Sequence, residues 1–105
     1  MAEVTIGNGV FRLVRKIGEG AFGQIYFGVN VETNEQYAIK LENANSQYPQ
    51  LFYESQILQY LYHHKNGNDK VKKDFGIPRV YYCFKEDKYN VMVMDVLGPS
   101  LEELF

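Results

Sequence analysis

Three glycines, Gly18, Gly20 and Gly23, stand at GxGxxG spacing between two stretches whose apolar residues recur at every second position. Before them, Phe11, Leu13 and Ile17 share one parity, with Arg15 interrupting the same face. After them, Ile25, Phe27, Val29 and Val31 alternate with Gln24, Tyr26, Gly28 and Asn30. Alternation of this kind marks strands, so the glycines join two strands of a hairpin. A dinucleotide-binding turn is excluded, because it must open into a helix whose N-terminus holds the pyrophosphate. A GxxxxGK[ST] phosphate loop is excluded too: Gly23 and Gly28 have the spacing, but Val29 stands where lysine is required. A glycine hairpin can instead fold over a nucleotide as a lid, its N–H groups coming close to phosphates because no Cβ intervenes. On the triplet alone, a hairpin that binds nothing explains the sequence equally well.

The next segments weigh on that choice. Tyr37, Ile39 and Leu41 alternate against Ala38 and Lys40 after the polar turn Glu32-Thr33-Asn34-Glu35. The three strands form most simply an antiparallel meander. Pro49 fits the first turn of a helix, where its missing N–H costs nothing, although Tyr48 is a poor cap. Leu51, Glu54, Leu58 and Leu61 then fall on one helical face. An unpaired carboxylate on that apolar face is costly, and Lys40, on a strand with apolar neighbours, is the candidate partner for Glu54. A lysine so held presents its ammonium as a point charge to phosphate oxygens. Ala38, on the same strand face, leaves room for a flat ring. A solvated glutamate and a snorkelling lysine are the ordinary fate of such residues. The adjoining glycine hairpin favours a nucleotide-phosphate clamp.

Asn66-Gly67-Asn68 ends the helix in a lysine-rich loop, and Val80, Tyr82 and Phe84 alternate as a fourth strand. Glu86-Asp87-Lys88 turns the chain into Val91-Met92-Val93-Met94, a run suited to a strand covered on both faces. Ser100 and Glu103 make a capping box after Gly98-Pro99. The sequence stops inside that new helix, which predicts a boundary set by truncation. The expected fold is α+β, a five-stranded antiparallel sheet with one main helix.

A chain of 105 residues with 46% apolar and 23% charged residues suits one globular domain. A net charge of -2 gives no reason to expect nucleic-acid or anionic-membrane binding. Cys83 is the single cysteine, which fits a reducing compartment and a small core residue. The start lacks a signal peptide's pattern, and the apolar runs are too short to span a bilayer. A cytoplasmic chain is expected, with the nucleus as a second compartment. His63-His64 do not face each other on a helix and have no further ligand at suitable spacing, so no metal site is expected. Lys65, Lys70, Lys72 and Lys73 read as a solvated loop.

Taken together, Ile17-Gly18-Glu19-Gly20-Ala21-Phe22-Gly23-Gln24-Ile25, Ala38-Ile39-Lys40 and Glu54 resemble the N-terminal lobe of eukaryotic protein kinases. The closer resemblance is to the casein kinase I family of serine/threonine kinases. It is carried by Ala38-Ile39-Lys40-Leu41-Glu42, Pro49-Gln50-Leu51, Glu54-Ser55 and Gly76-Ile77-Pro78. The most specific stretch is Tyr89-Asn90-Val91-Met92-Val93-Met94-Asp95-Val96-Leu97-Gly98-Pro99-Ser100-Leu101-Glu102.

The resemblance implies an extension over residues 1–10, an ATP-binding lobe over 11–97, and a hinge exit with the start of the next helix over 98–105. The second lobe is absent from the chain. Gly18, Glu19, Gly20, Ala21, Phe22 and Gly23 would cover the ATP phosphates, and Lys40 would contact them, aligned by Glu54. Ile17, Ile25 and Ala38 would pack on adenine, with Met94 as gatekeeper. The Asp95 carbonyl and the Leu97 N–H would bond the adenine edge. Leu58 and Val80 would sit in the apolar column behind the helix.

The catalytic aspartate, the Mg2+ ligands and the protein-substrate groove of such an enzyme would lie in the second lobe. The chain alone is therefore expected to be inactive, and its uncovered lobe interface to self-associate. The alternative is a non-catalytic nucleotide- or protein-binding module, or a truncated product. Two departures stand out: the connection His63 through Phe75 is longer than the family's, and Asp95 replaces the commoner glutamate. With only its backbone on the base, Asp95 should matter little. Asp74-Phe75-Gly76 spells the magnesium-binding DFG signature, but before the fourth strand it lacks that motif's context.

Overall fold

The alternating segments of the chain become a sheet, and the one stretch of helical periodicity packs across it. The computed structural model describes residues 4–20, 23–47, 49–64 and 78–96. In chain order these form β1 (Val4–Ile6), β2 (Phe11–Gly20), β3 (Gly23–Asn30), β4 (Gln36–Asn43), α1 (Leu51–His64), β5 (Val80–Glu86) and β6 (Tyr89–Met94). The sheet order is β1-β2-β3-β4-β6-β5, with every neighbouring pair antiparallel. Strands β2, β3 and β4 form the expected meander.

The sheet has six strands where the sequence predicted five. The additional strand, β1, lies inside the stretch expected as an extension and pairs Val4 with Leu13 and Ile6 with Phe11. Three residues are too few to display a period of two, which is why the pattern missed it. The turn after β1 carries left-handed backbone at Gly7, Asn8 and Gly9, with φ of 64°, 57° and 83°. Its N–H groups at positions 7 and 8 both donate to Glu86 Oε1, at 2.9 and 3.2 Å. The first turn is thereby tied to the end of β5, and the Phe11 and Tyr82 rings lie 5.8 Å apart across the same closure.

Each face of the sheet has its own core. On one, Ile6, Phe11, Ile39, Leu41, Val91 and Val93 are buried, with Leu13, Tyr26, Tyr37 and Phe84 packed against them. On the other, Ile25, Ala38, Leu51, Met92 and Met94 are buried, joined by Ile17, Leu58, Val80, Cys83 and Val96. The central strands β4 and β6 divide their residues between the two by parity, as expected of a strand covered on both sides. Burial of each large apolar side chain contributes roughly 1.5–3 kcal/mol.

Two expectations of shared faces fail, for one physical reason. Phe11 and Leu13 join the first core but Ile17 the second, because the β2–β3 register shifts between Leu13 and Arg15, ahead of Ile17. Val80 likewise parts from Phe84, because the β5–β6 register shifts between Val80 and Tyr82. An inserted residue exchanges the faces of everything beyond it.

Helix α1 begins slightly later than predicted. The Gln50 carbonyl accepts the Glu54 N–H at 2.8 Å, making Gln50 the boundary residue and leaving Pro49 ahead of the helix. The missing cap comes from β4. Glu42, 3% exposed, accepts from the Gln50 N–H at 2.6 Å and the Leu51 N–H at 3.0 Å through Oε2. Its Oε1 accepts from Asn90 Nδ2 at 2.9 Å. An acidic side chain is favourable at this end of a helix, where unpaired N–H groups concentrate positive charge. Among the described residues, no helix is long and apolar enough to cross a membrane.

Candidate functional site: a lysine, a glutamate and a glycine hairpin

Strand β4 delivers Lys40 to the second core's face, the face that α1 covers. Its register partners are Ile25 on β3 and Met92 on β6. Leu51 and Leu58 seat α1 against this face, and Glu54 lies between them. Lys40 Nζ donates to Glu54 Oε1 at 3.0 Å and to Oε2 at 2.8 Å, so both carboxylate oxygens converge on one ammonium. The Lys40 side chain is 11% exposed and that of Glu54 29%. Charges this far out of water persist when paired, and removal of one partner leaves the other uncompensated. The Glu42 cap and the Lys40–Glu54 pair are two residues apart on β4. The strand therefore fixes both where the helix starts and where its glutamate points.

The glycines have separate causes. Gly20 pairs with Gly23 at the end of the β2–β3 hairpin. Gly23 has φ of 150°, and a Cβ there would run into the Leu41 carbonyl oxygen. The packing of the hairpin on β4 is enough to require glycine at that position. Gly18 is different: a Cβ there would meet Ile25 side-chain atoms at 3.6 Å or more, an ordinary contact. Nothing inside the described chain demands glycine at position 18, which leaves room for an external group to approach the backbone. Glu19 is exposed, held by Lys16 Nζ at 2.6 Å and Gln24 Nε2 at 3.3 Å. The hydrogen bond and charge of Lys16 lower its carboxyl pKa. Ala21, Phe22 and Leu97 lie outside the described residues, as do the Asp74-Phe75-Gly76 triplet and the Ser100 capping box.

Ile17, Ile25, Ala38 and Met94 all belong to the second core, and Ala38 faces Met94 directly in the β4–β6 register. Ala38 and Met94 are both 0% exposed. A flat ring would reach them only by displacing apolar neighbours, of which Ile17 and Val96 are among the partly exposed ones. Leu58 and Val80 pack against this same core.

Asp95 departs from its expected backbone-only part. Its Oδ2 accepts from the Arg79 N–H at 3.0 Å, and its Oδ1 from the Tyr81 hydroxyl at 2.6 Å. Its own N–H donates to the Arg79 carbonyl at 3.0 Å. The bond to Asp95, followed by burial, pushes the Tyr81 phenol up to about 12. Glu42 and Tyr81 were not candidates from the sequence, because neither interrupts a run of apolar residues on one face as Lys40 and Glu54 do.

A separate cleft of about 630 Å3 opens elsewhere, between the first turn and the end of β5, bounded by Val10, Phe11, Tyr82, Phe84 and Glu86. It contains neither Lys40 nor Glu54, and its Glu86 carboxylate already ties down the first turn.

No known family's sequence profile matches the chain. Among solved structures, it is similar to the kinase domain of PF14_0431, with a TM-score of 0.73 and 24% sequence identity. The match covers 93% of this chain and 27% of that one, so the chain spans about a quarter of that structure's length. At this identity the likeness shows the fold: a mostly antiparallel sheet with one helix, as in the N-terminal lobe of a kinase domain.

Proposed function

We propose that the chain is the ATP-binding lobe of a serine/threonine protein kinase of the casein kinase I type. The observation that carries this reading is the two-oxygen pairing of Lys40 with Glu54 beside the β2–β3 glycine hairpin, within a kinase-lobe fold. In this reading Glu54 orients the Lys40 ammonium, which meets the triphosphate as a fixed positive charge. The hairpin lies over the phosphates, with Gly18 admitting their close approach. Ile17, Ile25, Ala38 and Met94 offer apolar surface to adenine, whose entry moves Ile17 and its neighbours aside. The task is positioning and charge stabilisation, the larger part of what phosphoryl transfer asks of a protein. Mg2+, when bound, would supply neutralisation of the triphosphate's negative charge. We assign its ligands, the base for the protein hydroxyl and the substrate groove to a second lobe.

The test is titration of the isotopically labelled chain with ATP, followed through its amide resonances. Perturbations should gather at Gly18, Ile25, Lys40 and Val96, with a dissociation constant on the order of millimolar because one lobe's contacts are missing. Perturbations confined to the cleft beside Glu86, or none at all, would overturn the assignment. With ATP and Mg2+ the chain should transfer no phosphate to casein.

A further inference from the structure

We infer that Asp95 is a positioning residue of the nucleotide site, its carboxylate standing in for its own backbone carbonyl in the β5–β6 ladder. This rests on the ATP-binding reading. Val80 faces Met94 in the register, so Arg79 and Asp95 form the next pair. The Asp95 N–H bonds the Arg79 carbonyl at 3.0 Å, which marks a pair that ordinarily exchanges two backbone bonds. The return bond goes elsewhere: the Arg79 N–H donates to Asp95 Oδ2, not to the Asp95 carbonyl. The backbone oxygen is thereby released from the sheet while the strand stays anchored.

The other carboxylate oxygen is held equally firmly. Tyr81 is the residue inserted by the register shift between Val80 and Tyr82. Its hydroxyl donates to Asp95 Oδ1 at 2.6 Å. Such insertions re-aim side chains, and this one is braced from two sides. The Tyr37 ring stands edge-on at 5.4 Å, and the Arg79 guanidinium lies 5.2 Å from the Tyr81 ring centre. Asp95 itself lies between Met94 and Val96, both packed in the core that we assign to adenine. Its side chain turns toward β5, and on the ATP-binding reading the released carbonyl is the group offered to the ligand. The group it would accept is the N–H edge of a flat heterocycle, such as the exocyclic amine of adenine.

The test compares Asp95→Ala and Asp95→Asn in the labelled chain, with adenosine and inorganic tripolyphosphate as separate probes. In the Ala variant the Arg79 N–H returns to the residue-95 carbonyl, seen as a new through-hydrogen-bond coupling from Arg79 15N to that carbon. Adenosine binding weakens about five- to tenfold, the effect of one hydrogen bond, while tripolyphosphate binding is unchanged. The Asn variant keeps near-wild-type adenosine binding, because its Oδ1 accepts from Arg79 and its Nδ2 donates to the Tyr81 oxygen. Wild-type adenosine binding by the Ala variant overturns the inference, as does an equal loss for both probes. A wild-type chain that binds neither probe overturns the functional reading instead. The Arg79 coupling needs no ligand, so it decides the Asp95 exchange separately.

Discussion

Glu42, Asp95 and Tyr81 do at the residue scale what secondary structure alone leaves undone. Glu42 satisfies two helix N–H groups and one amide with a single carboxylate. Glu42→Ala strands all three, and we expect a loss on the order of 3 kcal/mol, measured by urea unfolding. A change below about 0.5 kcal/mol would remove Glu42 from its capping role. Tyr81 provides a titration with a definite sign. Its phenol is held protonated in the fold, up to about 12, above its ordinary value near 10. The Asp95 bond therefore contributes its full stabilisation below about pH 10 and loses it as pH rises toward about 12. Tyr37 is also raised, chiefly by burial, so ultraviolet titration should show Tyr81 among the late-ionising tyrosines, and Asp95→Asn should bring Tyr81 back toward the rest.

At the scale of elements, packing requires one glycine of the hairpin and leaves another unexplained by the fold. Gly23→Ala meets the Leu41 carbonyl oxygen in left-handed backbone and should cost at least about 2 kcal/mol in unfolding experiments. Gly18→Ala has ordinary contacts only and should leave stability within about 1 kcal/mol while weakening ATP binding. Equal destabilisation by the two would place both glycines in the fold alone. The sequence made these elements legible where side-chain periodicity ran unbroken. Tyr37 through Leu41 and Val91 through Met94 divide between two cores as their parity predicts. It failed at Ile17 and Val80, because a bulge is a relation between two strands and leaves no mark on either one. The pairing of Lys40 with Glu54 was legible because both are charges on otherwise apolar faces. The Glu42 cap was not, since an acid after an apolar strand residue has the look of a solvated one. The side-chain bonds of Asp95 left no mark in the sequence, since Arg79 and Tyr81 meet it only through the β5–β6 register.

Over the whole molecule, two cores on opposite faces give the sheet separate duties. The first, closed by the Glu86 tie across the initial turn, stabilises the lobe. The second seats α1 and carries the paired charges. Leu51 joins helix to sheet at 1% exposure, and Leu51→Ala should cost about 2–5 kcal/mol while loosening the Lys40–Glu54 geometry. Hydrogen exchange across α1 should rise more than across β1 and β2. Uniform acceleration everywhere would instead show that the two cores unfold as one.

The proposed ATP-binding function requires a triphosphate to meet the Lys40 ammonium in the geometry that Glu54 sets. The direct measurement is the 31P spectrum of ATP with the wild-type chain and with the double variant Lys40→Met/Glu54→Gln, which removes both charges and leaves neither uncompensated. The prediction is that the β- and γ-phosphorus lines shift with the wild type and return to their free positions with the double variant, the fold being intact in both. Equal shifts with the two chains would contradict it.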